Sequence, residues 1–313
     1  MSKKEESFGK IDFVGKMGLF GGISLLFVSV SIIYMIVHGI NWGIDFQGGT
    51  EMQFKFKSAV DINQFRENLS KLELGEISVQ RFGEGNEFVL RFQGKSGVSD
   101  KETNTFLQES IQKIKTEVES KLSSSSPELR RVDTVGPQVG GELRRSAFLS
   151  VFYSLLVLLI YVGFRFDYKY APGAIICLFH DVAITLAVYI FLGKEVNLPI
   201  LAALLTLIGY SLNDTIVVFD RIRETEHLYH DKGLGFIINK SINDMMVRTM
   251  ITSGTVLTSA LALYFVAGGT VSEIALIMTL GAFFGTYSSI FIAAPLIIIF
   301  DKLKISQKVM KTA

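Results

Sequence analysis

The chain has 313 residues, 49% of them apolar, with 31 basic against 30 acidic side chains and a formal net charge of +1. So near-neutral a balance gives no electrostatic case for a nucleic-acid partner. The single cysteine, Cys177, excludes an intrachain disulfide and offers no thiol framework for a metal.

In chain order, residues 1–17 carry Lys3, Lys4, Lys10 and Lys16 and precede an apolar run over 18–37. About 20 such residues cross a bilayer as a helix. The run is too long for a signal-peptide core and lacks a small-x-small cleavage site, so it is expected to be an uncleaved anchor. Residues 38–146 follow as a soluble α+β domain with Gly-rich connectors. Residues 50–57 (TEMQFKFK) alternate like a strand, and 61–72 read as a helix with Asp61 as its cap. Strands are expected over 77–82 and 87–92, around the turn GEGN. A long amphipathic helix over 100–122, the break SSSSP and a strand over 129–135 complete the order β-α-β-β-α-β of a ferredoxin-like fold. The connectors are 43–50 (GIDFQGGT) and 135–141 (VGPQVGG). Their glycines Gly48, Gly49, Gly136, Gly140 and Gly141 serve either as hinges or as tight turns at the membrane surface. Neither connector has the Lys-Ser/Thr ending of a phosphate-binding loop, which argues against ATP hydrolysis.

Five further runs, 147–166, 171–192, 198–219, 249–267 and 274–300, make six expected transmembrane helices, with 301–313 as the tail. The last run is long enough to require tilt, and its Gly281 and Gly285 permit close helix packing. Lysine and arginine concentrate before the first run, in the turn of Arg165 and Lys169, in the stretch holding Arg221, Arg223, Lys232 and Lys240, and after the sixth run at Lys302, Lys304, Lys308 and Lys311. The positive-inside rule then places both termini in the cytoplasm. Arg144 and Arg145 fall on the other side, at the end of a soluble segment long enough to escape that rule.

The fourth run, LPILAALLTLIGYSLNDTIVVF, holds the carboxylate of Asp214 beside Asn213. An acid within lipid thickness is costly, and its default reading is ion or proton handling. At 1.5 Å per residue Asp214 lies about 9 Å from the inner boundary, and His180 and Asp181 of the third run lie roughly 13–15 Å from it. Arg248 stands at the foot of the fifth run, with Thr252, Ser253, Thr255 and Thr258 above it. These groups are expected to converge in the inner half of the bundle. Low dielectric disfavours a carboxylate's charged form and a nearby cation favours it, so a moving Arg248 would switch proton affinity at Asp214. The bland readings are a neutral structural acid, a snorkelling arginine, an Asp–His pair within the bundle, and hydroxyls bonded back to their own helix.

The segments GIDFQGGT (43–50), VGPQVGGELRRSA (135–147), FHD (179–181) and IGYSLNDTIVVFDRIRE (208–224) resemble the SecF branch of the SecD/SecF family, within the resistance–nodulation–division superfamily. The resemblance implies a bacterial inner-membrane subunit, not an enzyme, that pairs with SecD as a twelve-span assembly. It implies association with the SecYEG channel, often with YajC and YidC, in an assembly that assists late translocation of an unfolded polypeptide with the proton-motive force. The coupling ion would be the proton, with no other cofactor and no metal. Asp214 matches the family's NDT aspartate and Arg248 its fifth-helix arginine. A half-size lipid or solute exporter and a non-transporting scaffold are the competing classes.

Overall fold

The structure, a computed structural model, describes residues 10–72, 74, 77–81, 86–93, 100–166 and 169–302. Lys3, Lys4, Lys304, Lys308, Lys311 and most of the GEGN turn lie outside these residues.

Among the described residues, six helices are long and apolar enough to cross a membrane. They are α1 (Met17–His38), α5 (Pro137–Arg165), α6 (Ala171–Phe191), α7 (Leu198–Leu228), α8 (Leu234–Val266) and α9, which spans Gly269–Lys302. α9 is interrupted by a π-helical stretch at Ser289–Ala293. Three helices form the centre: the most apolar windows of α6, α7 and α9 are 61%, 50% and 56% buried, against 11% in each of α1, α5 and α8. At the α7–α9 contact a Cβ on Gly281 would fall 2.1 Å from Leu207 Cδ1, so a larger residue there would displace that side chain.

Three helices begin before their apolar runs. α5 starts at Pro137 rather than 147, α8 at Leu234 rather than 249, and α9 at Gly269 rather than 274. The reason is local chemistry: Pro137 has the φ suited to a helix start, and nothing between it and the apolar run breaks the hydrogen-bond ladder. The 33 residues of α8 extend about 50 Å, well beyond a hydrocarbon core of about 30 Å, so its polar first turns stand in water. The segment 135–141 is therefore mostly the start of a helix and not a loop.

The domain between α1 and α5 has one four-stranded antiparallel sheet. Its strands β1 (Gly49–Lys55), β2 (Ile77–Arg81), β3 (Glu87–Phe92) and β4 (Glu128–Val135) lie in the order β2-β3-β1-β4. With α3 (Ile62–Ser70) after β1 and α4 (Asp100–Lys121) after β3, this is the expected ferredoxin-like topology. Period-2 alternation sends Met52, Phe54, Phe88, Leu90 and Phe92 into the core. Phe65 and Leu69 of α3 and Leu107, Ile114 and Val118 of α4 cover that face at helical spacing. Asp61 caps α3 by accepting from the Asn63 N–H at 2.9 Å. The other sheet face stays polar and carries Glu51, Gln53, Gln80 and Arg91.

A short helix, α2 (Ile44–Gln47), leads into β1. Its Phe46 is buried with Tyr189, Val196 and Ile200 at the α6–α7 turn. At the opposite end of the bundle, two asparagines one turn apart on α8 hold the chain ahead of α1. Asn239 Oδ1 accepts from the Phe13 and Val14 N–H groups at 2.8 and 2.9 Å. Asn243 Oδ1 accepts from Lys10 and Ile11 at 3.1 Å each, and its amide donates to the Ile11 carbonyl at 2.8 Å.

Candidate functional site: two polar clusters in the membrane bundle

Two polar clusters lie one turn apart on α7. The first surrounds Asp214, which is 7% exposed. Ser253 of α8 donates to Asp214 Oδ2 at 3.3 Å. Arg248 is exposed on α8, five residues before Ser253. Tyr210, one turn earlier on α7, has a buried hydroxyl with no hydrogen-bond partner among the described residues. Asn213 is exposed.

The second cluster surrounds Asp181 of α6, which is 1% exposed. Its Oδ2 accepts from Ser211 of α7 at 2.5 Å and from Ser288 of α9 at 2.8 Å, and its Oδ1 lies 2.9 Å from His180 Nδ1. The Cys177 thiol donates to Ser288 Oγ at 3.0 Å. His180 Nε2 is buried with no hydrogen-bond partner among the described residues, and its ring stacks on Tyr287 at 6.1 Å. The π-helical stretch begins directly after Ser288; such a turn inside an α-helix is frequent at functional sites. Gly285 of α9 borders this cluster: a Cβ there would lie in ordinary contact with Ser211 Oγ at 3.4 Å and Asp181 Oδ2 at 3.5 Å.

The single constellation expected from the sequence is thus split. Asp181 and His180 bind α6 to α7 and α9, whereas Asp214 faces α8. The hydroxyls on α8 divide as well. Thr252, Thr255 and Thr258 donate to carbonyls of their own helix, and Ser253 reaches the acid. Sequence reasoning missed Ser211 and Ser288, although a serine in an apolar span is a readable signal.

The two acids differ in how many donors depend on them. Asp181→Leu would strand the Ser211 hydroxyl and the His180 ring, on the order of 1–3 kcal/mol for each buried unpaired group, while Ser288 keeps the Gly285 carbonyl at 3.0 Å; Asp214→Leu would strand Ser253 alone. Thermal unfolding in detergent should therefore show the larger loss for Asp181→Leu; equal losses would contradict this division.

Where the domain meets the bundle, the two glycine segments cross. Gly48 has φ 78° and ψ 164°, a region open in practice to glycine alone. A Cβ on Gly48 would sit 2.8 Å from Pro137 Cα, one on Gly140 2.8 Å from Gly48 N, and one on Gly49 2.7 Å from the Phe92 carbonyl oxygen. Gly136 caps α5 and Gly141 lies inside it, both with open space around the missing side chain. Beside this crossing, the α6–α7 turn binds the domain. Asn41 and Gly43 exchange backbone bonds of 2.8 Å with Val196, and Asp45 Oδ2 accepts from the Leu198 N–H at 2.9 Å, capping α7.

A bundle that keeps carboxylates inside apolar helices and carries a ferredoxin-like domain at one end defines a multi-pass membrane protein of the transport class. The sequence profile of "Protein export membrane protein SecD/SecF, C-terminal" matches residues 114–303, and that of the "SecD/SecF GG Motif" matches 33–60. Protein translocase subunit SecF of Calditerrivibrio nitroreducens is 39% identical over 94% of this chain and 95% of its own length. The SecF of Rickettsia prowazekii is 36% identical over 96% and 94%. The chain belongs to the SecD/SecF family and, within it, to the SecF subunits of protein translocase. The crystal structure of SecDF from Thermus thermophilus, a translocon-associated membrane protein, superposes with a TM-score of 0.80 at 32% identity over 96% of this chain. A SecDF structure in the super-membrane-facing form gives 0.69 at 31%. This chain spans 40% of the length of each of those two structures.

Proposed function

We propose that this chain pairs with SecD in the bacterial inner membrane and uses the proton-motive force to assist the late stage of protein export. Both termini face the cytoplasm and the α+β domain faces the periplasm. Asp214 is the residue that takes up and releases the proton, Ser253 holds its carboxylate, and Arg248 modulates its charge. The observation that carries this reading is a buried acid in an apolar helix, hydrogen-bonded to Ser253 of a peripheral helix that also carries the exposed Arg248.

That face also supports the pairing. Arg248, Thr252, Thr255 and Ser259 recur at helical spacing and are exposed on α8. The stripe runs from the inner boundary into the apolar run, where a polar face is better matched by a protein surface than by lipid, so a second polytopic subunit covers it. SecD fits because the similar solved structures carry more than twice this chain's length as SecDF. SecYEG, YajC and YidC are the further partners, and an unfolded polypeptide is the cargo. Asn213, next to Asp214 in sequence, and Thr252, next to Ser253, are the candidates for its water-facing side, with the Asp181–His180 pair as the fixed partner of α7.

The test is purification in mild detergent followed by reconstitution with the Sec channel. SecD should co-purify, and late translocation should fall when an ionophore collapses the proton gradient. Gradient-independent export with the pair present would reject the reading.

A further inference from the structure

The structure ties the ferredoxin-like domain to the α6–α7 turn by side chains as well as by backbone. Arg91 of β3 reaches Glu195 with its Nη1 at 2.5 Å and the facing residue Glu51 of β1 with its Nε at 2.6 Å. Gln80 of β2 donates to the other oxygen of Glu195 at 3.2 Å. The three charged side chains are 12–24% exposed. Burial holds Glu195 above the usual carboxylate range against the pull of Arg91, and the two acids raise Arg91 against its own burial. Lys194 is occupied by Glu273 at 3.5 Å, which leaves Arg91 as the cation paired with Glu195 among the described residues.

We propose that Arg91 and Glu195 are positioning residues that form a releasable clasp between the outer domain and the helix bearing Asp214. The location supports this. Glu195 lies three residues before Leu198, where α7 starts, so whatever moves α7 moves the clasp. Of the attachments described, the glycine crossing is backbone against backbone and the Asn41–Gly43 pairing with Val196 is hydrogen-bonded main chain. The clasp is made of long side chains alone. When it parts, Arg91 keeps Glu51, so its charge is not abandoned in a half-buried place. The domain can then turn about the crossing of Gly48 and Gly140 without unfolding. Charge pairs of this kind cost most when one partner is removed and the other stays buried; a second carboxylate on the sheet lowers the cost of release.

The inference rests on the proton-driven reading above, and its test separates the two. Ser78→Cys, at the β2 position facing Arg91, and Lys194→Cys flank the clasp and leave Arg91, Gln80 and Glu195 in place; the native Cys177 is buried. A short, cleavable bis-maleimide would then lock the domain in the reconstituted complex. Gradient-stimulated export should be lost on locking and return on cleaving the linker. Full stimulation in the locked complex, or a loss that survives cleavage, overturns the proposal. If the unlinked complex shows no gradient response, the parent reading fails, and the clasp is judged on linking rate. Slower linking in Glu195→Gln upholds it, and an unchanged rate overturns it.

Discussion

Asp214→Asn should reduce gradient-stimulated export to the level seen without this chain, with insertion and partner binding preserved. The amide matches the carboxylate in shape and still accepts from Ser253, which donates at 3.3 Å. Packing against α8 is therefore retained while titration is lost. Asp214→Glu keeps the titrating group on a longer arm and should recover part of the stimulation. Side-by-side measurement of export and of proton uptake in proteoliposomes checks both. Undiminished stimulation in the asparagine variant would make Asp214 a neutral structural acid, whose place any hydrogen-bonding isostere could take.

Gly48→Ala should detach the outer domain from its seat on the bundle. Alanine at φ 78°, ψ 164° is held in a conformation costing about 1–3 kcal/mol. The new Cβ would meet Pro137 Cα at 2.8 Å and Pro137 N at 2.9 Å, both backbone atoms that cannot rotate away. Overpacking of this sort adds about 1–3 kcal/mol. Gly141→Ala is the matched control: its Cβ would enter open space within α5, and alanine is favoured over glycine in a helix by about 1 kcal/mol. Limited proteolysis of the full chain in mild detergent should release the domain from the first variant and spare the second. Equal resistance of the two would show that the crossing does not hold the domain.

Much of the architecture was readable because it follows from two periodicities. The alternation in TEMQFKFK and the helical spacing over 61–72 each report a local burial pattern, and together they give the ferredoxin-like order. Asp214 was readable because one acid among apolar residues is conspicuous. The partition of the membrane residues was not readable, since it depends on rotation of α6 and α7 about their axes, which places Ser211 on Asp181 and Asp214 on Ser253. Glu195 gave no signal because its partner, Arg91, is on a strand far away in sequence. The early starts of α5 and α8 were hidden for a different reason: hydropathy marks where lipid begins, not where a helix begins. Pro137 after Gly136 was the cue to the first of these.

The asparagine ladder on α8 has a consequence for biogenesis. Phe13 and Asn239 are separated by 226 positions, so the ribosome must complete most of the chain before the first span acquires its mooring on that side. Even in the complete bundle only 11% of the most apolar window of α1 is buried. Closure of the bundle is in this respect a late, whole-chain event, and truncation ahead of α8 would leave the leading helix adrift.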